Sequence, residues 1–177
     1  MNTPHYLHDG AIMLRCPEPY DLDIIYSWEN DTELWTEGSA NAPFTRKIIE
    51  EYIDSYNPDI YSARQLRLMI VKIDTMETIG AADLYEFDPH NRRAGVGIII
   101  DRRFQRMGYG ARALTLLSEY SRNMLGMHQL HATIAVDNEA SLRLFQKSEF
   151  KICGRYRSWV RRGAHYVDVF ALQRLFT

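Results

Sequence analysis

The stretch that most constrains this chain runs from Ala94 to Gly126. Val96 to Ile100 is a short, almost wholly apolar run, which reads as a strand buried on both faces. A polar segment with glycines at 108 and 110 follows. From Ala111 the apolar residues Ala113, Leu114, Leu116, Leu117, Tyr120, Met124 and Leu125 recur at spacings of three and four, the pattern of an amphipathic helix that Gly126 can stop. Strand, Gly-x-Gly loop and helix in that order suit an anion. The first helical turn presents N–H groups with no internal partner, and the helix dipole adds partial positive charge. Two glycines let another group approach the backbone, and Arg106 adds a full charge, so the loop suits a phosphate or pyrophosphate. Two common nucleotide motifs are absent: there is no GxxxxGK-Ser/Thr, and no GxGxxG between strand and helix.

Around this stretch the chain reads as one domain, 1–177, of mixed α/β (α+β) class. A first strand is expected over 11–16, stopped by Pro17 and Pro19. Asp21 is a candidate cap for a helix with Leu22, Ile25 and Tyr26 inward, and a loop is expected from Glu29 through Gly38 to Pro43. Thr45 can cap a second helix over 46–56 with Ile48, Ile49, Tyr52 and Ile53 inward. Strands over 65–72, 78–87 and 94–101, joined by tight turns, form an antiparallel meander. After the long helix come a strand over 129–136, a helix over 139–147, and two strands over 150–156 and 165–172. The order is β-α-α-β-β-β-α-β-α-β-β.

Composition excludes several classes. No apolar run approaches the ~20 residues of a membrane span. The first residues lack a charged-then-apolar leader, so the chain reads as cytoplasmic. Cys16 and Cys153 sit in no metal-type spacing and read as reduced thiols; His128 and His131 lack a cysteine partner set, so no metal is expected. Net charge is −2 but lopsided: residues 1–60 hold 12 Asp and Glu against 3 Lys and Arg, and residues 61–177 hold 11 against 18. That split suits two partners of opposite sign. Lys151, Arg155, Arg157, Arg161 and Arg162 make 151–163 basic, but no RNA-binding motif accompanies them, so no nucleic acid is expected.

Gln105-x-x-Gly108-x-Gly110, directly after an Ile-Ile-Ile strand, resembles the acetyl-CoA signature of the GNAT N-acetyltransferases, Gln/Arg-x-x-Gly-x-Gly/Ala. The run from Asn138 through Ser141, Leu144, Phe145 and Lys147 to Phe150 resembles the second motif of that family, and the element order is also that of the GNAT acyl-CoA N-acyltransferase fold, around a central mixed sheet. Leu14-Arg15, Asp21-Leu22, Trp28-Glu29-Asn30-Asp31, and the closing pattern from Gly154 and Ser158 through Gly163, His165, Tyr166 and Asp168 look like the branch of ribosomal-protein and spermidine N-acetyltransferases. Ile79-Gly80 through Glu86 and Ile98 to Ile100 look most like the spermidine enzymes.

The resemblance implies acetyl transfer from acetyl-CoA to a primary amine, a polyamine such as spermidine or a protein N-terminus, with a homo-oligomer allowed and no membrane partner. It assigns cofactor binding to Ile98, Ile99, Ile100, Gln105, Arg106, Met107, Gly108, Tyr109, Gly110, Asn138, Ser141 and Phe145. The edge of strand 98–101 would pair with the pantetheine arm. Asp83 and Glu86 are candidate bases for the amine, which is almost wholly protonated at pH 7. Two departures stand out: Phe145 occupies the position of the family's acidic tyrosine, and Gly95 that of a glutamate early in the strand. Tyr109, Tyr156 and Ser141 are then candidate acids, and a CoA-binding protein with little catalysis is the rival reading. Asp31, Glu33 and Glu37 are candidates for attracting a polycationic acceptor.

Overall fold

The computed structural model describes residues 7–35 and 42–177. One seven-stranded sheet in the order β1-β2-β3-β4-β5-β7-β6 organises them. Its strands are β1 (Ile12–Arg15), β2 (Leu66–Lys72), β3 (Glu77–Asp88), β4 (Arg93–Ile100), β5 (Gln129–Ala135), β6 (Lys151–Arg162) and β7 (His165–Leu175). β1 to β4 run antiparallel, β4 and β5 run parallel, and β7 lies antiparallel between β5 and β6. Strand alternation sends Leu66, Leu68, Ala82, Leu84, Val96, Leu130 and Ala132 to a core beneath α5 (Tyr109–Asn123) and α6 (Glu139–Lys147). The other face sends Met69, Val71 and Ala81 to Ile25 of α1 (Leu22–Glu29) and to Ile49 and Ile53 of α3 (Arg46–Asp54).

Several expectations hold at the level of residues. Thr45 caps α3 by accepting from Ile48 N at 3.3 Å. Others need correction. Two single helical turns were not foreseen: α2 (Thr32–Trp35) lies where loop was expected and α4 (Ile60–Ala63) between the expected helix and strand; four residues carry too little periodicity to show. The helix after the glycine loop starts at Tyr109 rather than Ala111. Val96 is buried, but Gly97 to Ile100 are only half-buried, because β5 has left their side.

Asp21 does not cap α1 with its side chain. It is 1% exposed and accepts from Arg15 Nη1 at 2.6 Å and Nη2 at 2.9 Å, from Thr78 Oγ1 at 2.7 Å and from Glu18 N at 2.8 Å. The pair therefore fastens β1, the turn before α1 and β3 together. Burial alone would raise the Asp21 pKa, but the Arg15 guanidinium, Glu18 N–H and Thr78 hydroxyl hold it below the ordinary carboxylate value. Such a carboxylate stabilises the fold above the unfolded-state pKa of about 3.9, and the contribution vanishes as pH falls through the lower folded value. Breaking one side of a buried pair costs about 3–5 kcal/mol. At this length each kcal/mol moves Tm by roughly 2–4 °C. Asp21→Asn should therefore lower Tm at pH 7 by about 10 °C, and the gap to wild type should close as both are acidified below about pH 4. A gap that calorimetry finds independent of pH would contradict this role.

Candidate active site

β4 and β5 pair at Arg93↔Gln129, Ala94↔Leu130 and Gly95↔His131, and then part. Beyond Gly95, β4 keeps its bonds to β3 as far as Gly80↔Ile100, while β5 continues along β7 as far as Ala135↔Val169. A fork opens in the middle of the sheet, and among the described residues one edge of Ile98, Ile99 and Ile100 lacks a strand partner. An extended, amide-bearing arm can add there as a strand would. Ile98 and Ile100 turn toward the α5 core and Ile99 toward the α1 and α3 core, so the fork reaches both faces.

β4 leads directly into the loop. Asp101 accepts from Arg103 N and Nε, each at 3.0 Å, and Gln105 Nε2 donates to Ile100 O at 3.0 Å, folding the loop back on the strand end. Arg106 and Gly108 both adopt left-handed backbone, with φ of +62° and +84°. Alternating left-handed residues turn successive N–H groups toward one concavity. Among the described residues, the next backbone N–H after Gln105 to reach a backbone acceptor is that of Arg112, to Gly108 O at 3.2 Å. The N–H groups from Arg106 to Ala111 thus have no backbone acceptor among the described residues and lie at the N-terminus of the 15-residue α5, where such free donors suit an anion. Nothing lies within 4 Å of a Cβ built on Gly108, so that space is open, and Met107 beside it is exposed. Gly110 also serves packing: a Cβ there would stand 3.2 Å from Leu144, so the glycine permits close packing of α5 on α6.

The second motif is largely structural. Asn138 Oδ1 accepts from Ser141 N at 3.1 Å and caps α6; Ser141 is half-buried. Phe145 is 3% exposed and packs edge-on against Phe150, with ring centroids 5.0 Å apart. Tyr109 packs beside Phe104 on the α5 side of the sheet, the face opposite Asp83.

The α1 and α3 face carries the polar groups. Arg67 on β2 donates from Nε and Nη2 to both oxygens of Asp83, at 2.8 and 3.0 Å, and from Nη1 to Glu29 Oε1 at 2.9 Å. Burial opposes the charge on Arg67, but the two carboxylates outweigh it and raise its pKa, so it stays a cation. Both Asp83 oxygens are thereby committed. Glu86 is exposed, at φ +49°, where the β3–β4 register breaks. Asp31 and Glu33 both accept from Arg102 Nη2, at 2.9 and 2.6 Å, which offsets part of their charge. Glu37 lies outside the described residues.

The Trp28-Glu29-Asn30-Asp31 run proves to be a set of fasteners. Trp28 Nε1 donates to Asp101 at 3.4 Å, Glu29 takes Arg67, Asn30 exchanges bonds with the Phe44 backbone, and Asp31 takes Arg102. They tie the end of α1 to the strand ends and to the loop.

Sequence reading overlooked Tyr85, Thr133 and Arg67, and weighed His131 only as a metal ligand. Tyr85 stands opposite Gly95 across β3–β4, and its ring covers that glycine: a Cβ at 95 would lie 2.3 Å from Tyr85 Cε2. The Tyr85 ring meets the His131 ring on β5 edge-on at 6.2 Å, so that side chains from β3 and β5 touch across the last rung before the fork. A side chain at position 95 is excluded because the neighbouring phenol fills its space. The available signal was the pairing of Tyr85 with a glycine on the next strand, visible only once register is known. Gly95→Ala should lower thermal stability in wild type, by about 1–3 kcal/mol as for other overpacked sites, and far less in a Tyr85→Ala background. Additive losses in that double-mutant cycle would show the two positions to be uncoupled.

These features meet known proteins in one place. The model of the acetyltransferase (GNAT) domain matches residues 11–151. The chain is 26% identical over 162 residues to the spermidine N(1)-acetyltransferase of Vibrio cholerae, covering 84% of this chain and 90% of that one. It is also 26% identical over 155 residues to the uncharacterised N-acetyltransferase YoaA of Bacillus subtilis, covering 87% of each. The solved spermidine N-acetyltransferase from Vibrio cholerae in complex with CoA and spermine superposes with a TM-score of 0.80 at 23% identity, over 94% of this chain and 96% of that one. With the forked sheet and the loop at its mouth, the match over most of the chain shows that this protein belongs to the GNAT family of acetyltransferases.

Proposed function

We propose that the protein transfers an acetyl group from acetyl-CoA to a primary amine of a polyamine, spermidine or spermine being the type. The observation that carries the reading is the continuity of the fork with the loop: the unpaired edge of Ile98 to Ile100 runs straight into the donors of Arg106 to Ala111. A pyrophosphate on those donors would direct the amide-bearing arm along β4, with the thioester inside the fork. An N–H near Ile99 would then meet the carbonyl oxygen as charge develops on it. Phe145 has no hydroxyl and is buried, so protonation of the leaving thiolate falls to another group or to solvent. A thiol with a pKa near ~8.5, by analogy with cysteine, leaves acceptably without strong acid help.

Acceptor class is supported by charge and by the relatives. The Vibrio cholerae enzyme is named for spermidine, and its structure holds spermine. In this chain Glu29, Asp31, Glu33 and Asp83 all lie on or near the α1 face of the fork, where they would raise the local concentration of a polycation. No helix among the described residues is long and apolar enough to cross a membrane, which is compatible with work on a dissolved cytoplasmic amine. β6, the outermost strand, leaves Tyr156 and Trp159 exposed and stacked at 4.8 Å, which supports assembly with further copies of the chain.

Spermidine or spermine should be acetylated with higher kcat/KM than a monoamine with a neutral tail, and the preference should shrink as salt rises, since exposed charges are screened over about 10 Å at 0.1 M. Glu33→Gln should raise the polyamine KM several-fold and leave acetyl-CoA affinity nearly unchanged. Steady-state kinetics with an amine panel checks both. Turnover of a ribosomal-protein N-terminal peptide with none of polyamines would favour the protein acceptor and overturn this one.

A further inference from the structure

The structure leaves one chemical task unassigned on the α1 face: something must take a proton from the acceptor ammonium. Asp83 is a poor candidate by geometry, because a proton on either oxygen would displace a bond from Arg67. Glu86 is exposed to water on a left-handed residue where the strand register is broken. Tyr109 lies on the other face.

We infer that His131 is the catalytic base of this acetyltransferase, positioned by Tyr85 at the last rung before the fork opens. The inference rests on the acetyl-transfer reading above. His131 pairs with Gly95 at that rung, half-buried, on the same face as Tyr85 and Thr133. Because residues 95 and 97 are both glycine, β4 sends no side chain onto this face between Ala94 and Ile98. Tyr85 fills the space over Gly95. Over Gly97 the nearest atoms to a would-be Cβ are Asp83 Cβ at 3.8 Å and Tyr85 Cε1 at 4.0 Å, which leaves room for a primary amine beside the fork.

The charged and titratable groups facing His131 are few. β3 contributes Tyr85 and Glu86, and β4 contributes Arg93. From β7, the residue opposite His131 is Gln173, which is uncharged and donates to Gln129. Burial lowers the His131 pKa below the ordinary imidazole value; Glu86 opposes that shift and Arg93 adds to it. The imidazole is therefore neutral at pH 7 and able to accept a proton, and the Glu86 carboxylate would then stabilise the imidazolium.

The proton and electron balance is simple. The ammonium gives one proton to the imidazole, and the freed nitrogen lone pair forms a bond to the thioester carbonyl carbon. The carbon–sulfur bond breaks and its electron pair leaves with sulfur. The nitrogen loses a second proton to that sulfur, giving amide and thiol, and His131 returns the first proton to solvent.

The test is the pH profile of kcat/KM for acetylation of spermidine, and of a panel of primary amines, by wild type, His131→Gln and His131→Ala, with acetyl-CoA affinity measured by calorimetry. Wild type should show a plateau through neutral pH and an acid limb with a midpoint below the ordinary imidazole range. His131→Gln should fall at least about 100-fold at pH 7, the lower end of what a general base contributes. Its rate should then climb about tenfold per pH unit toward the amine pKa of about 10.4, because only free amine reacts. Imidazole in the buffer should restore part of the His131→Ala activity, with acetyl-CoA affinity unchanged. A His131→Gln profile that keeps the plateau and acid limb overturns the assignment while leaving acetyl transfer intact. Loss of activity in parallel with acetyl-CoA affinity, without rescue by imidazole, also overturns it in favour of a structural role. Failure of wild type to acetylate any amine overturns the acetyl-transfer reading and His131 with it.

Discussion

After Gly95, β4 has a hydrogen-bonded neighbour on one side only, and the rest of the molecule is arranged around that vacancy. A strand edge inside a sheet is costly to leave unpaired, because N–H and C=O groups that lose water without a partner are destabilising. Here the edge stays half-exposed, one of its carbonyls held by the Gln105 side chain, and it leads into a loop whose N–H groups have no backbone acceptor among the described residues. An open strand edge followed by free helix-start donors suits an elongated ligand with amides along its length and an anion at its end.

The sheet does not fall apart at the fork because other contacts bridge it. On the α5 side, Gly110 lets Leu144 approach closely, joining the helix that follows β4 to the helix that follows β5. On the α1 side, the Tyr85 ring reaches from β3 over Gly95 to the His131 ring on β5. Arginines fasten the acceptor-side helices: Arg67 holds the end of α1 to β2 and β3, and Arg102 holds Asp31 and Glu33 to the cofactor loop. A site made in this way is rigid in its walls and open along its floor, which suits positioning of two substrates.

The parts legible in the sequence were those set by periodicity and glycine. The strand-loop-helix order, the meander and the motif at Gln105, Gly108 and Gly110 rest on local patterns, and local patterns survive folding. What was not legible depends on register. Tyr85 and Gly95 are ten positions apart and become one packed unit only when β3 and β4 align. His131 was weighed in the sequence only as a metal ligand beside His128, and its place at the fork shows only because the third rung of β4 and β5 is the last. Asp21 read as a helix cap, and the structure instead buries it against Arg15, six residues earlier, a contact that local pattern does not announce. Val96 to Ile100 misled for a physical reason: an all-apolar run signals burial by neighbours, and here part of the covering is expected from the ligand.

The central claim is that acetyl-CoA lies with its pantetheine arm on the free edge of β4 and its pyrophosphate on the loop. Amide hydrogen exchange with and without CoA tests it directly. Saturating CoA should slow exchange at residues 98–100 and 106–111 together, with little change in β6 and β7. Protection confined to the basic β6–β7 hairpin, or binding with no protection at 98–100, would contradict the account.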